Sequence, residues 1–331
     1  MPYSIRKLQQ TGGKSGSSFL VILPREWIRR QKLSKGDPVV IIEREDGSLI
    51  VDPSLPIAGE SRNTTVGIES NLRWTITSKY LLGFDEIHVV SDKPISNDQR
   101  DELKRIIKRF VALEVTDEDD NQIVVQCLVD PTTLPVDKAM RRMNLIASRM
   151  LNDSLAAYFD GLQELAESVV NRDEEVDRLF FLIVRELRLA IQYPRMSERM
   201  GITPVKALDF RLAAQYIERI ADLAVDIANR TLHALDKKLV KKMEPIVKMV
   251  KEMQSNAVTS LFRFDSEKVA WVIKAEKKII EDTAKLRQYL ISTPNDEPQT
   301  HLYVTDILLR IGEAAKDIAD LGLPESEAVD N

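Results

Sequence analysis

The sequence is poor in the residue types on which disulfide-bonded and membrane-spanning proteins depend. Cys127 is the single cysteine among 331 residues, so the chain can form neither an internal disulfide nor a thiolate metal site of its own. The longest apolar runs are FLVIL (19–23) and LFFLIV (179–184), far short of the roughly 20 residues that span a bilayer. The first segment, MPYSIRKLQQ, lacks the apolar core of a signal peptide. We expect a cytoplasmic protein with no membrane insertion.

Positive charge is concentrated at the N-terminus. Residues 1–36 hold eight basic side chains against the single acid Glu26, a net charge of about +7, whereas the whole chain has a net charge of −5. The remaining residues therefore carry about −12. This asymmetry predicts a basic N-terminal module with an anionic partner.

Residues 1–54 have the pattern of short strands and turns. The apolar run SFLVILP ends at Pro24, which is well placed to start a short helix over REWIRRQKL. Asp46 and Gly47 predict a hairpin between PVVIIE and SLIVDP. So small a β-rich unit cannot bury enough apolar surface alone, so we expect it to form a homodimer.

Residues 62–130 predict a small α/β domain. The expected strands are TTVGI, EIHVVS, ALEVTD and QIVVQCLVD, and the expected helices are ESNLRWTITSKYLLG and SNDQRDELKRIIKRF. The segment has no phosphate-cradling glycine loop and no paired nucleophile and base. The sequence assigns this domain no function.

Residues 135–323 predict a helical bundle. Six amphipathic segments are expected near 135–158, 161–192, 205–235, 239–262, 265–291 and 300–321. YIERIADLAVDIANRTL (216–232) is similar to DILLRIGEAAKDIADLG (306–322), so the bundle divides into two related three-helix units, about 135–235 and 239–321. The predicted fold class is multidomain α+β: a β-rich head, an α/β middle unit and an all-α C-terminal pair of bundles.

Carboxylates are stacked along two of the predicted helices. Glu218, Asp222 and Asp226 follow one another at four-residue spacing, which puts like charges above one another on one stripe. Asp173 and Asp177 have the same spacing on a preceding helix. Carboxylates that project from facing helices of a bundle are a common way to hold Fe, Mn or Mg.

The acidic pattern also has a simpler interpretation. Arg230 follows Asp226 by four residues and can pair with it, as on an ordinary solvated helix edge. In the second unit Glu313 and Asp317 match Asp222 and Asp226, but Leu309 replaces Glu218. The chain also lacks the Glu-x-x-His motif of di-iron proteins.

The helical half resembles the PhoU family. ERIAD (218–222), its weaker copy LRIGE (309–313) and NRDEEVDRLFFLIVRELRLAI (171–191) carry the resemblance. It implies two three-helix bundles, a role in restraining phosphate uptake, and a multinuclear metal cluster of Fe or Zn, with Mg or Mn not excluded. The ligands that this carries over are Asp173, Asp177, Glu218 and Asp222. Asp226, Glu313 and Asp317 are further candidates.

The head resembles the AbrB/SpoVT/MazE swapped-hairpin family. The match is SSFLVILPREWIRRQKLSKGDPVVIIEREDGSLIVDP (17–53), with its strand, Leu-Pro, short helix, Lys-Gly-Asp turn and closing hairpin. The resemblance implies an interlocked homodimer that binds DNA, and the combination of both halves is similar to archaeal-type PhoU-like regulators. We expect DNA-backbone contacts from the basic side chains Arg6, Lys7, Lys14, Arg25, Arg29 and Arg30.

Three functions are consistent with these patterns. The first is a non-enzymatic, DNA-binding regulator of phosphate homeostasis whose helical domain senses a metal or a partner. The second is an adaptor that docks on a phosphate transporter ATPase or a phosphate-signalling protein, with the head serving only to dimerise. The third is a carboxylate-bridged metalloenzyme, against which the scarcity of histidine argues.

Overall fold

In a computed structural model, the chain divides into two compact units, residues 1–60 and 61–331. The structure describes residues 5–11, 18–43, 47–53, 62–69, 71–128, 134–294 and 296–322.

The first unit consists of two small antiparallel sheets and one short helix. Strand β1 (Gln9–Thr11) pairs with β2 (Ser18–Leu20), and Gln10 lies opposite Phe19. Helix α1 (Arg25–Arg30) follows Pro24, as predicted. Strands β3 (Val40–Glu43) and β4 (Leu49–Asp52) form the second sheet. Every described side chain of this unit is at least partly exposed, so the described part has no buried core of its own.

A mixed four-stranded sheet opens the second unit. Its elements are β5 (Asn63–Gly67), α2 (Leu72–Leu81), β6 (Glu86–Val90), α3 (Asn97–Ile107), β7 (Leu113–Glu118) and β8 (Gln122–Cys127). The strand order is β5-β6-β8-β7, with β5 parallel to β6 and the other pairs antiparallel. Helix α3 begins as predicted, because Ser96 and Gln99 form a reciprocal capping box.

The rest of the second unit is helical. The helices are α4 (Val136–Asp160), α5 (Gln163–Gln192), α6 (Pro194–Met200), α7 (Pro204–Ala228), α8 (Lys237–Phe262), α9 (Ser266–Ser292) and α10 (Pro298–Asp320). Helices α4, α5 and α7 pack together, as do α8, α9 and α10, and α7 against α10 joins the two sets. One continuous apolar core runs through both sets. The predicted fold class is confirmed: β hairpins, a mixed α/β sheet and a helical region of six long helices and the short α6.

Two helix predictions differ from the structure. The segment YPRMSERMGITP was expected to be a simple break, but Pro194 starts the short helix α6 within it. The third long helix was expected to reach residue 235, yet α7 ends at Ala228. Gln163 Nε2 donates to the carbonyl oxygens of Thr231 and Leu232 (2.8 and 3.1 Å), so these carbonyls are paired outside a helix.

Helix α5 joins the bundle to the α/β domain. The buried guanidinium of Arg185 donates to the carbonyl oxygens of Tyr80 (2.7 Å) and Phe84 (2.8 Å) and to Asp85 Oδ1 (2.9 Å). One turn before it, the ring of Phe181 meets that of Phe110 edge-on at 5.2 Å. Burying a charged side chain is costly unless its donors are used, and here they link the two domains.

None of the described helices has the length and apolarity needed to cross a membrane.

Candidate functional site

The packing of α5 against α7 sets the position of the acidic residues. Val176 on α5 is buried, as are Ile217, Ile220 and Ala221 on α7. Asp173 and Asp177 lie on either side of Val176 on α5. Glu218 and Asp222 lie on either side of the buried Ile220 and Ala221 on α7. The carboxylates therefore border the seam between the two helices. Asp222 is exposed, and the other three are half-buried.

Four carboxylates along this border influence one another electrostatically, and we call Asp173, Asp177, Glu218 and Asp222 the acidic cluster. Burial, followed by the charges of Asp222, Asp177 and Asp173, raises the pKa of Glu218 to about 7. A hydrogen bond from Gln215 Nε2 to Glu218 Oε2 (2.8 Å) acts in the opposite direction. Burial and the charges of Asp177 and Asp222 likewise raise the pKa of Asp173 to about 6. The spacing in the sequence thus brings like charges together instead of spreading them into solvent.

The α/β domain places positive charge near the cluster. Burial raises the pKa of Asp177 and Glu174 adds to the effect, but Arg109 and Arg73 act to lower it. The guanidinium of Arg109 lies 5.5 Å from the ring centroid of Phe181 on α5. Sequence reasoning missed both arginines. Arg109 lies just after α3 and Arg73 lies on α2, and no local pattern points to an aspartate so far along the chain.

Asp226 has different surroundings from the cluster. Its Oδ1 is 3.5 Å from Arg230 Nη1, and Tyr303 Oη on α10 donates to its Oδ2 at 3.3 Å. Its charge still contributes to the raised pKa of Asp222, after burial and Asp177. The structure thus places Asp226 next to the cluster, with a basic partner already in contact.

The second three-helix set does not repeat this arrangement. Glu313 is exposed on α10. Lys316 Nζ lies 2.6 Å from Asp320 Oδ2 and 4.0 Å from Asp317 Oδ1. The hydrogen bond to Asp320 raises the pKa of Lys316, and the charge of Glu276 on α9 acts in the same direction. An ammonium group therefore already provides positive charge beside Asp317.

The donor set of the acidic cluster fits a hard cation. Carboxylate oxygens are the ligands that Mg, Mn and Fe accept readily, and a bound cation would relieve the mutual repulsion that raises these pKa values. Among the described residues, however, no group of three or more His, Cys, Asp or Glu side chains is arranged to hold a metal ion. The residue types in the cluster therefore fit a metal, although the described side chains are not positioned to ligate one.

The residues predicted to contact DNA are all exposed where the structure describes them. Arg6 and Lys7 precede β1, and Arg25, Arg29 and Arg30 lie on α1. Lys14 lies outside the described residues. Large apolar side chains of this unit are exposed as well, among them Phe19 (65%), Ile22 (58%), Ile41 (61%) and Leu49 (64%).

Comparison with known proteins gives two domain matches. The model of the PhoU domain matches residues 140–231, which contain α5, α7 and the acidic cluster. The model described as "Antidote-toxin recognition MazE, bacterial antitoxin" matches residues 14–57. No curated protein sequence matches the chain.

Two solved structures are similar to the helical part. The phosphate transport system regulatory protein PhoU from Streptococcus pneumoniae is 14% identical, with a TM-score of 0.47, over 56% of this chain and 90% of that one. PhoU from Pseudomonas aeruginosa is 16% identical, with a TM-score of 0.43, over 57% of this chain and 94% of that one. Neither structure shows that the chain is of the archaeal type to which its sequence was compared. The two domain matches show that the chain carries a MazE/AbrB-type domain at its N-terminus and a PhoU domain in its C-terminal helical region.

Proposed function

We propose that this protein is a regulator of phosphate uptake that binds DNA through its N-terminal domain. The proposed domains are a DNA-binding and dimerisation head (1–54), an α/β domain (62–130) and a PhoU-like helical domain (135–323). The observation that carries the proposal is the presence of a MazE-type domain and a PhoU domain in one chain. Both are regulatory, non-catalytic families, so the proposal includes no reaction. A regulator bound to DNA acts in the cytoplasm.

The surface of the head supports a DNA contact. Arg25, Arg29 and Arg30 are exposed on one short helix, and Arg6 and Lys7 are exposed on the segment before β1. Guanidinium and ammonium groups that approach phosphates release condensed counterions, so binding of this kind weakens steeply as salt rises. These residues give affinity without base specificity.

The same surface supports a homodimer. Phe19, Ile22, Ile41 and Leu49 are each more than half exposed in the single chain, and the described part of this unit buries no side chain. Apolar surface of this extent on so small a unit is stabilised by contact with a second copy. Dimerisation also doubles the basic charge available to one DNA segment.

DNA binding is tested with the full chain and charge-matched variants. Fluorescence anisotropy on labelled duplexes should show binding at low salt that Arg25→Ala/Arg29→Ala/Arg30→Ala weakens at least tenfold. The matched control is Lys237→Ala/Lys238→Ala/Lys241→Ala, which removes the same charge from exposed positions on α8 and should bind like wild type. Equal loss in both variants would show a non-specific charge effect and contradict a DNA-binding head. Genome-wide mapping at high and low phosphate then tests the link to phosphate.

We also propose that the acidic cluster binds a metal and thereby acts as the sensor. Asp173, Asp177, Glu218 and Asp222 are the proposed ligands, with Asp226 as an additional oxygen donor. A multinuclear cluster of Fe, Mn or Mg suits these carboxylates better than Zn, since no imidazole or thiolate is among them. The bound metal would supply positive charge between α5 and α7, and the protein's part is to hold four acids at one seam.

An adaptor role is the second candidate. The observation that favours it is the net charge of about −12 on residues 37–331, which attracts a basic protein surface and repels nucleic acid. In this case the head only dimerises, and the helical domain docks on a phosphate transporter ATPase or another phosphate-signalling protein. Cross-linking in cells that recovers transporter subunits, together with an absence of DNA in the genome-wide mapping, would favour the adaptor.

A further inference from the structure

An open groove of about 690 Å³ lies between the α/β domain and the helical bundle. Strand β5 and helix α2 form most of its walls, and Arg188 of α5 closes one side. Its volume is within the range of small-molecule sites, which often lie where two domains meet. Strand β5 and helix α2 lie outside both matched domain regions, 14–57 and 140–231.

The groove combines an exposed aromatic ring with aliphatic walls. Trp74, on the first turn of α2, is 69% exposed, although an indole is large and apolar enough to favour burial. Val66, Leu81 and Leu82 line the groove beside it. An exposed indole above an apolar floor is a suitable surface for stacking a flat aromatic ring.

Two cationic side chains face the same groove. Lys79 and Arg188 are both in its lining, and neither forms an ion pair with a carboxylate among the described residues. The hydroxyl groups of Thr77 and Ser78 donate to the carbonyl oxygens of Arg73 (2.7 Å) and Thr75 (3.0 Å) within α2. The charged donors in the lining of the groove are the ammonium of Lys79 and the guanidinium of Arg188.

A third cation lies near Arg188. Arg211 of α7 is half-buried, and burial together with the charge of Arg188 lowers its pKa. Its guanidinium donates to Gln215 Oε1 at 3.3 Å. Glu218 acts on the pKa of Arg211 in the opposite direction. Arg188 and Arg211 thus place two like charges near each other although the chain as a whole has a charge of −5, and like charges held together are stabilised by an anion.

We propose that this groove binds a nucleotide, with the base stacked on Trp74 and the phosphate groups held by Arg188 and Lys79. Arginine and lysine bind phosphate oxygens through charge-assisted hydrogen bonds, and an aromatic face binds the base. No glycine-rich loop is required, because side chains supply the phosphate contacts. The inference goes beyond the proposed function, since it holds whether or not the head binds DNA. It gives the α/β domain a role as a ligand-binding module.

Calorimetric titration of the full-length protein tests the proposal. ATP, ADP and AMP are compared with adenosine and inorganic phosphate, in buffer with a chelator so that no metal bridges the nucleotide to the acidic cluster. The nucleotides should bind at least tenfold more tightly than either adenosine or inorganic phosphate. If inorganic phosphate binds as tightly as the nucleotides, the aromatic half of the proposal is wrong.

Variants locate the binding to the groove. Arg188→Ala should weaken nucleotide binding at least tenfold, and Trp74→Ala should weaken it severalfold, while Trp74→Phe keeps most of the affinity. The control is Arg149→Ala, which removes an exposed arginine from α4. All three positions are exposed, so circular dichroism should show unchanged folding of the four variants. No binding of any nucleotide, or equal binding by Arg188→Ala and Arg149→Ala, overturns the proposal.

Discussion

Tyr158 and His301 share a hydrogen bond of 2.5 Å in the interior of the bundle. Tyr158 lies near the end of α4 and His301 in the first turn of α10, so the contact joins the two three-helix sets. Both side chains are buried. Burial raises the pKa of Tyr158 and lowers that of His301, which favours the protonated hydroxyl and the neutral imidazole. We assign the hydroxyl as the donor and His301 Nδ1 as the acceptor.

Removal of the Tyr158 hydroxyl should destabilise the protein. Tyr158→Phe leaves His301 Nδ1 buried without its donor, at a cost of about 1–3 kcal/mol in the free energy of unfolding. Tyr303→Phe is the matched control, because its hydroxyl bonds Asp226 at 3.3 Å from a side chain that is 37% exposed. Urea denaturation followed by circular dichroism measures both. Equal shifts of the two midpoints would contradict the importance assigned to the buried bond.

His301 should make the bundle less stable in mild acid. Burial lowers its pKa, and His233 acts in the same direction, whereas Glu297 and Asp296 act to raise it. The unfolded chain therefore binds the proton more readily than the folded one. The contribution of this group to stability is complete above the unfolded pKa of about 6.5 and is lost as the pH falls through that value towards the lower folded pKa.

The His301 effect is separated from other titrations by a variant. His301→Gln keeps a hydrogen-bond acceptor for Tyr158 but does not titrate. Between pH 7.5 and 5 the urea midpoint of the wild type should fall more than that of His301→Gln. Parallel curves for the two proteins would exclude a role for this histidine in acid sensitivity.

The acidic cluster should have the opposite pH dependence in metal-free protein. The pKa of Glu218 is raised to about 7 and that of Asp173 to about 6, both above their unfolded values. Their charged forms therefore destabilise the fold at pH 8, and this cost disappears as the pH falls through the folded pKa values to below about 4.5. Glu218→Gln should be more stable than wild type at pH 8 by about 1 kcal/mol after solvent screening, and no more stable at pH 4.5.

Metal binding should reverse the order of stability of the wild type and Glu218→Gln. If the cluster binds a divalent cation, Mn²⁺ or Fe²⁺ should raise the thermal midpoint of the wild type and leave that of Glu218→Gln nearly unchanged, since a ligand that binds only the folded state stabilises it. Glu313→Gln on α10 is the control, because it removes an exposed acid outside the cluster. Equal metal-induced shifts in Glu218→Gln and Glu313→Gln would argue against a metal at the cluster.

Local sequence patterns predicted much of what the structure shows in the α/β domain and the helical bundle. The start of α3 followed from Ser96 and Asn97, which favour helix N-termini, and the four-residue spacing on two helices correctly indicated that Asp173 and Asp222 interact electrostatically. Contacts between distant segments were not predictable. Arg185 reaches the carbonyl oxygen of Tyr80 across 105 residues, and a single sequence carries no signal for that pairing. The end of α7 at Ala228 was missed for the same reason, since the pairing partner of the following carbonyls is Gln163.

Gly83 offers a sharp test of how the α/β domain packs on α5. Its φ of +80° is unfavourable for other residues, and a Cβ there would clash with Leu189 Cδ2 and lie 2.8 Å from Arg62 Nη1. Gly201 is the matched control, since its φ is +63° but an added Cβ meets no atom within 4 Å. Gly201→Ala should cost only the backbone strain of about 1 kcal/mol, whereas Gly83→Ala should cost clearly more.

The excess cost of Gly83→Ala should depend on Leu189. In Gly83→Ala/Leu189→Ala the clashing atoms of Leu189 are absent and only the flexible end of Arg62 remains close to the added Cβ. The double variant should therefore be less destabilised than the sum of the two single variants, by about 1 kcal/mol or more. Urea denaturation of the four proteins completes the cycle. Leu189 lies one turn after Arg185 on the same helix. A positive coupling would therefore show that α5 contacts the α/β domain in solution. Strict additivity would mean that backbone strain at Gly83 and the contact with Arg62, and not the approach to α5, set the cost.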